Sequence, residues 1–111
     1  MTTVEDPTSL FAADYRAYLG KRPGFHINEL RLTPEQCVPW HYHNHIQDTF
    51  YVVDGRLRIY LRSPEEQIVL EPAETYSVPP RRPHFVTNDA DTLTTFLVLQ
   101  GIGPYDFVLL E

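Results

Sequence analysis

Ten prolines punctuate the chain from Pro7 to Pro104. A proline removes a backbone donor and breaks a helix interior, and in a sheet it is confined to edges, bulges and strand starts. Long helices are therefore excluded from most of the chain. Short strands joined by turns remain, and the residues between the prolines alternate as strands do.

The pattern can be followed from the N-terminus. Residues 1–5 carry no structural signal and are expected to be mobile. Asp6-Pro7 reads as a helix cap followed by proline at the first helical position. Leu10, Phe11, Tyr15, Tyr18 and Leu19 follow helical spacing up to Gly20, which predicts an amphipathic helix of about three turns on the outside of the fold. The expected organisation is an N-terminal segment, 1–22, followed by a β-domain over 23–111. Strands are predicted at 25–32, 36–43, 48–53, 56–62, 67–70, 75–78, 84–87, 92–99 and 105–110. Pro39 marks an edge or bulge in the second of these. Asp54-Gly55 predicts a hairpin turn. Leu57, Ile59 and Leu61 alternate with Arg56, Arg58, Tyr60 and Arg62, which is the signature of a half-buried antiparallel strand. The expected fold is all-β, a small barrel or sandwich.

Charge narrows the possible partners. The formal net charge is −6, and the one basic pair, Arg81-Arg82, is too short to make a basic surface. Nucleic acid and anionic membranes are therefore not expected partners. With Cys37 as the single cysteine, no internal disulfide can form, and a cytoplasmic location is the expectation.

Chemistry concentrates between Trp40 and Gly55. His41, His43 and His45 fall at every second position, and Asp48 follows. Residues two apart share a strand face, so His41 and His43 offer two imidazoles from one side. Imidazole and carboxylate are the usual ligands of a divalent transition metal. Further ligands must come from elsewhere in the fold. His45 falls where a turn should begin, and His26 lacks a partner pattern. Trp40 and Tyr42, of opposite parity, are expected on the outer sheet face. Cys37, by parity on the His41 face, reads as a small core residue.

These residues resemble the two motifs of the cupin family. The first motif places an acid three or four residues after a His-x-His pair and a glycine six residues further on; His41, His43, Asp48 and Gly55 match that spacing. The second is matched by Pro79, His84 and Asn88. The resemblance implies a double-stranded jelly roll with a metal in the barrel mouth, held by His41, His43, Asp48 and His84, with Gln47 competing with Asp48 because the family tolerates a three-residue gap. The chain departs from the pattern at four positions. Glu35 and Ala73 stand where each motif begins with glycine, and Arg81 replaces an internal glycine. Asp48 replaces the usual glutamate and is one methylene shorter, which puts its reach to a metal in question. Glu35, in a glycine position, is expected to need positive φ.

The resemblance also frames function. It implies one divalent transition metal per chain (Fe, Mn, Ni, Co or Zn) and an enzyme of dioxygenase, isomerase, lyase or cyclase type acting on a small molecule. A non-catalytic binding or sensing module is the alternative. Phe50 and Val52, with the parity of Asp48, are expected as pocket wall, with Phe96 and Val98 contributing from a later strand and Asn88 either structural or lining the mouth. Arg81 and Arg82 are either solvated or steer an anionic substrate. A homodimer is expected, through the tyrosine-rich N-terminal stretch and the strand beginning Tyr105-Asp106-Phe107.

Overall fold

Eleven strands and one 3₁₀ turn make up the computed structural model, which describes residues 1–110. In chain order these are β1 (Thr2–Val4), the 3₁₀ turn (Pro7–Ser9), β2 (Tyr15–Arg22), β3 (Phe25–Leu32), β4 (Cys37–Tyr42) and β5 (Gln47–Asp54). There follow β6 (Leu57–Leu61), β7 (Glu66–Leu70), β8 (Thr75–Val78), β9 (His84–Asn88), β10 (Thr94–Gly101) and β11 (Phe107–Leu109). A six-stranded sheet has the order β1-β11-β4-β9-β6-β7, and a five-stranded sheet the order β2-β3-β10-β5-β8. Every pairing is antiparallel. The result is the expected all-β jelly roll, with two sheets facing each other across one core.

Period-two burial builds that core. In β6, Leu57, Ile59 and Leu61 are buried while Arg58 and Tyr60 remain partly exposed. In β10 the buried set is Thr94, Phe96, Val98 and Gln100. Leu32, Val52, Val86 and Phe96 meet these residues between the sheets, each without exposed surface. Each such side chain contributes about 1.5–3 kcal/mol by leaving water.

The N-terminal segment departs from the sequence expectation. Asp6 does cap a turn, its carboxylate accepting from the Thr8 amide at 3.0 Å. The turn ends at Ser9, and Tyr15–Arg22 forms β2 instead of a helix. Pairing with β3 satisfies a row of backbone groups that would otherwise be a bare sheet edge. Leu10, Phe11 and Ala13 pack against the core in an irregular stretch. Residues 2–4, expected to be mobile, pair with β11.

Asp54-Gly55 is not a hairpin either. β5 belongs to the five-stranded sheet and β6 to the six-stranded one, so the chain crosses between sheets at this corner. Gly55 has φ +92°, and a Cβ there would lie 2.3 Å from Thr94 Oγ1. That hydroxyl accepts from the Arg56 amide at 3.1 Å, which fastens the corner to β10.

The positions that depart from the family's glycines divide in two. Ala73 and Arg81 adopt positive φ, 70° and 68°, while Glu35 is not among the positive-φ residues. The expected strain at Glu35 is therefore absent, and it falls on the second motif.

Candidate metal centre

Four buried side chains from three strands and a loop converge at one end of the barrel. His41 lies on β4 and His84 is its register partner on β9. His43 follows the end of β4, and Asp48 lies near the start of β5. None is more than 3% exposed, and their ligand atoms all lie within 4.8 Å of one another. Asp48 Oδ2 is 2.9 Å from His43 Nε2, 3.0 Å from His84 Nε2 and 3.9 Å from His41 Nε2. The shorter carboxylate therefore reaches the centre of the cluster.

The far side of each ring determines what the near side presents. Nδ1 of His41 faces the Pro39 carbonyl at 2.7 Å, and Nδ1 of His84 faces the Arg82 carbonyl at 2.9 Å. Nδ1 of His43 faces the Asp106 carbonyl. A carbonyl oxygen only accepts, so each Nδ1 carries the proton, and in the neutral ring Nε2 is then a bare lone pair. Three such lone pairs surround a carboxylate oxygen that also only accepts. Groups of this kind repel unless a cation lies among them, and the donor set therefore fits a divalent metal.

Electrostatics agree with that reading. Burial, reinforced by His84, pushes His41 down to about 3, so its ring is neutral. Burial also works against a charged His43, but the Asp48 carboxylate outweighs it and raises the pKa of that ring. For Asp48, burial is opposed by the surrounding imidazoles, and the carboxyl is held well below its ordinary range. A proton on His43 satisfies one contact to Asp48 and leaves the His84 lone pair facing the same oxygen.

The second oxygen of Asp48 is held by a residue that sequence reasoning missed. Gln100, the register partner of Asp48 on β10, donates from Nε2 to Oδ1 at 2.9 Å. Gln100 Oε1 in turn accepts from Asn28 Nδ2 at 2.6 Å. The available signal was parity: Gln100 lies two residues beyond Val98 and four beyond Phe96, on the inward face of the strand.

A cavity of about 180 Å³ opens from the cluster. His41 and Asp48 contribute to its wall, with Phe50, Val98, Gln100 and Tyr105 around them. Burial raises the pKa of the Tyr105 phenol, which therefore stays protonated. Phe107 stacks on the His41 ring at 4.1 Å and fixes its plane. Phe11, Arg16 and Tyr18 from the N-terminal segment complete the cavity. That segment is thus part of the site and not an outer attachment.

Other expectations fall differently. Phe50 and Val98 line the cavity as expected, but Val52 and Phe96 lie deeper in the hydrophobic core. Asn88 is structural: its Nδ2 donates to the Leu32 and Thr92 carbonyls, and its Oδ1 accepts from Thr94. His45 and Gln47 are exposed, which leaves Asp48 as the acid at the centre. Pro39 does mark a bulge, between Val38 and His41. The bulge shifts parity, so Val38 shares the buried face of His41 and Cys37 does not. Trp40 lies outside the core as expected, stacked on Phe85 beneath the Arg62 guanidinium. Arg82 is engaged by Glu66 and the Pro64 carbonyl, and it is not turned to the cavity.

Comparison with known proteins bears on the fold. No curated protein matches the chain by sequence. A conserved Klebsiella pneumoniae protein with a double-stranded β-helix domain superposes with TM-score 0.76 at 21% identity, over 87% of this chain and 84% of that one. The cupin domain of Schizosaccharomyces pombe Cnp3 gives TM-score 0.72 at 13% identity, over 79% of this chain and 64% of that one. An oxalate oxidase gives 0.71 at 19% identity, over 78% of this chain but only 46% of the oxidase. The sequence profile of the cupin domain matches residues 28–100, a stretch that contains all four converging residues. The chain belongs to the cupin family.

Proposed function

We propose that this cupin is a metal-dependent enzyme acting on a small organic molecule, with one divalent transition metal held by Nε2 of His41, His43 and His84 and by Asp48 Oδ2. The observation that carries the proposal is the orientation of the three rings. Each Nδ1 is occupied by a backbone carbonyl, which leaves three Nε2 lone pairs and a carboxylate oxygen directed at one another. The ligand chemistry suits Fe, Mn, Ni, Co or Zn. When bound, such an ion supplies Lewis acidity or a redox centre. The chain's own residues do the rest. Gln100 orients Asp48, Phe107 and Phe50 shield the rings from water, and Tyr105 presents a neutral phenol to the cavity.

The test combines elemental analysis of protein purified without metal-affinity resin with turnover assays. Metal-reconstituted protein is assayed for O₂ uptake and for product formation on small diketones, phenols and acids. Metal-dependent turnover lost in His41→Ala is the expected result. Bound metal without turnover on any class would favour a binding or sensing role instead.

We also propose self-association through β2. This is an edge strand, and its Tyr15, Tyr18 and Leu19 are 40%, 47% and 56% exposed. Tyr105 and Phe107, expected in the same role, face the cavity instead. Light scattering giving only monomer mass at micromolar concentration would rule the dimer out.

A further inference from the structure

Most polar groups in the cavity wall are already engaged with one another. Gln100 gives its NH₂ group to Asp48 and its carbonyl to Asn28. The Asn28 carbonyl oxygen is buried out of a ligand's reach. The Tyr105 hydroxyl interacts with Asp48 and Gln100 and belongs to the same polar end. Thr8 hydrogen-bonds to Asp6 through its amide and hydroxyl. Arg16 donates to the Phe11 carbonyl at 2.6 Å and has the Asp6 carboxylate as a counter-charge. Among the described residues that line the cavity, only Arg16 and Asp48 carry a fixed charge.

The rest of the wall is apolar and rich in rings. Phe11, Phe50 and Phe107 present aromatic surface, and Leu30, Val86 and Val98 present aliphatic surface. The Phe107 ring lies at 10° to His41 and at 20° to Phe11, and Phe50 lies at 78° to His84. Offset-parallel and edge-on neighbours of this kind suit a further aromatic ring. Size points the same way. An apolar cavity of about 150 Å³ accommodates benzene. At about 180 Å³, this one has room for a single ring with a small substituent.

We propose that the cavity takes an uncharged single-ring aromatic molecule, with its oxygen substituent at the end formed by His41 and Asp48 and its apolar body against the phenylalanine and aliphatic wall. This rests on reading the cavity as the substrate site of the metal centre. The apolar residues that select the ring are not metal ligands, so the selection can be tested with and without metal.

The probes are p-cresol, 4-methylcyclohexanol, hydroquinone and 4-hydroxybenzoate, titrated by calorimetry into metal-loaded and chelator-treated full-length protein. p-Cresol is expected to bind about three- to tenfold tighter than 4-methylcyclohexanol, which carries the same substituents on a puckered ring. It should bind about tenfold tighter than hydroquinone, which sets a second hydroxyl against the apolar wall. Both preferences should hold in the two forms of the protein. In chelator-treated protein, 4-hydroxybenzoate should bind at least about tenfold more weakly than p-cresol. Leu30→Phe and Val98→Met fill the cavity from different strands, and each should weaken p-cresol by about tenfold or more without changing metal content. If either variant fails to fold, the order of the probes decides. The inference is overturned if 4-methylcyclohexanol or hydroquinone binds as tightly as p-cresol, or if 4-hydroxybenzoate does so in chelator-treated protein. Absence of p-cresol binding, or binding that both folded variants leave intact, would also overturn it. Failure to bind metal, with the order of the probes intact, would remove the metal centre and leave this inference standing.

Discussion

Gln100 Nε2 donates to Asp48 Oδ1 at 2.9 Å, across a register pair that joins β10 to β5. The bond occupies one oxygen of a buried carboxylate and leaves the other directed at three imidazoles. Residues that orient a metal ligand from behind typically change metal affinity by about 10–100-fold when removed. Gln100→Leu is expected to fall in that range while retaining the fold. Asp48→Asn should lose more, since it removes the charge as well as a lone pair. Competition against a chromophoric chelator measures both.

The response to pH follows from the shifts within the cluster. Asp48 raises the pKa of His43, so in metal-free protein the His43 proton stabilises the fold at low pH and is lost as pH rises through that raised value. Asp48, held well below its ordinary range, stays ionised throughout the neutral region, and His41, at about 3, stays neutral. A metal held by this cluster would displace the His43 proton and relieve the bare lone pairs. The difference in Tm between metal-loaded and chelator-treated protein should therefore grow as pH rises through that raised His43 value and then level off. Thermal unfolding on both sides of that value checks this. A difference that shrinks as pH rises would contradict it.

Ala73 and Arg81 hold glycine-like backbone, φ 70° and 68°. Left-handed backbone costs a side-chain-bearing residue about 1–2 kcal/mol, part of which glycine returns as unfolded-state entropy. Ala73→Gly and Arg81→Gly are each expected to stabilise by about 1 kcal/mol in chemical denaturation. Glu35→Gly, where φ is not positive, should lose about 0.5 kcal/mol. The Arg81 amide also donates to the His43 carbonyl at 2.6 Å, so this strained residue anchors a ligand segment.

Gly55→Ala should be among the most damaging single changes to the fold. The new Cβ would lie 2.8 Å from Thr94 Cα, at a backbone φ of +92°. Overpacking of this kind typically costs about 1–3 kcal/mol. The corner between β5 and β6 should loosen, which a fall in Tm would register.

How much of this was legible in the chain depended on whether the cause was local. Alternation in Leu57, Ile59 and Leu61 is local, and the strand it predicted is present. The motif spacing of His41, His43, Asp48 and His84 identified side chains that the fold does bring together. Tyr15, Tyr18 and Leu19 misled because their spacing suits a helix, whereas the open edge of β3, a partner not visible in local spacing, makes them a strand. Asp54-Gly55 looked like a hairpin because turn chemistry does not reveal which sheet the chain enters next. Gln100 was overlooked because a glutamine is usually exposed. Its inward parity was visible, but its partner, Asp48, lies 52 residues away in sequence.

The central claim is that His41, His43, Asp48 and His84 hold one metal. Anomalous diffraction at the metal absorption edges, on crystals of protein purified without metal-affinity resin, tests it most directly. The account predicts a single peak per chain, bonded to the three Nε2 atoms and Asp48 Oδ2, and absent in His41→Ala/His84→Ala. No peak after reconstitution, or a peak bonded to other residues, would contradict it.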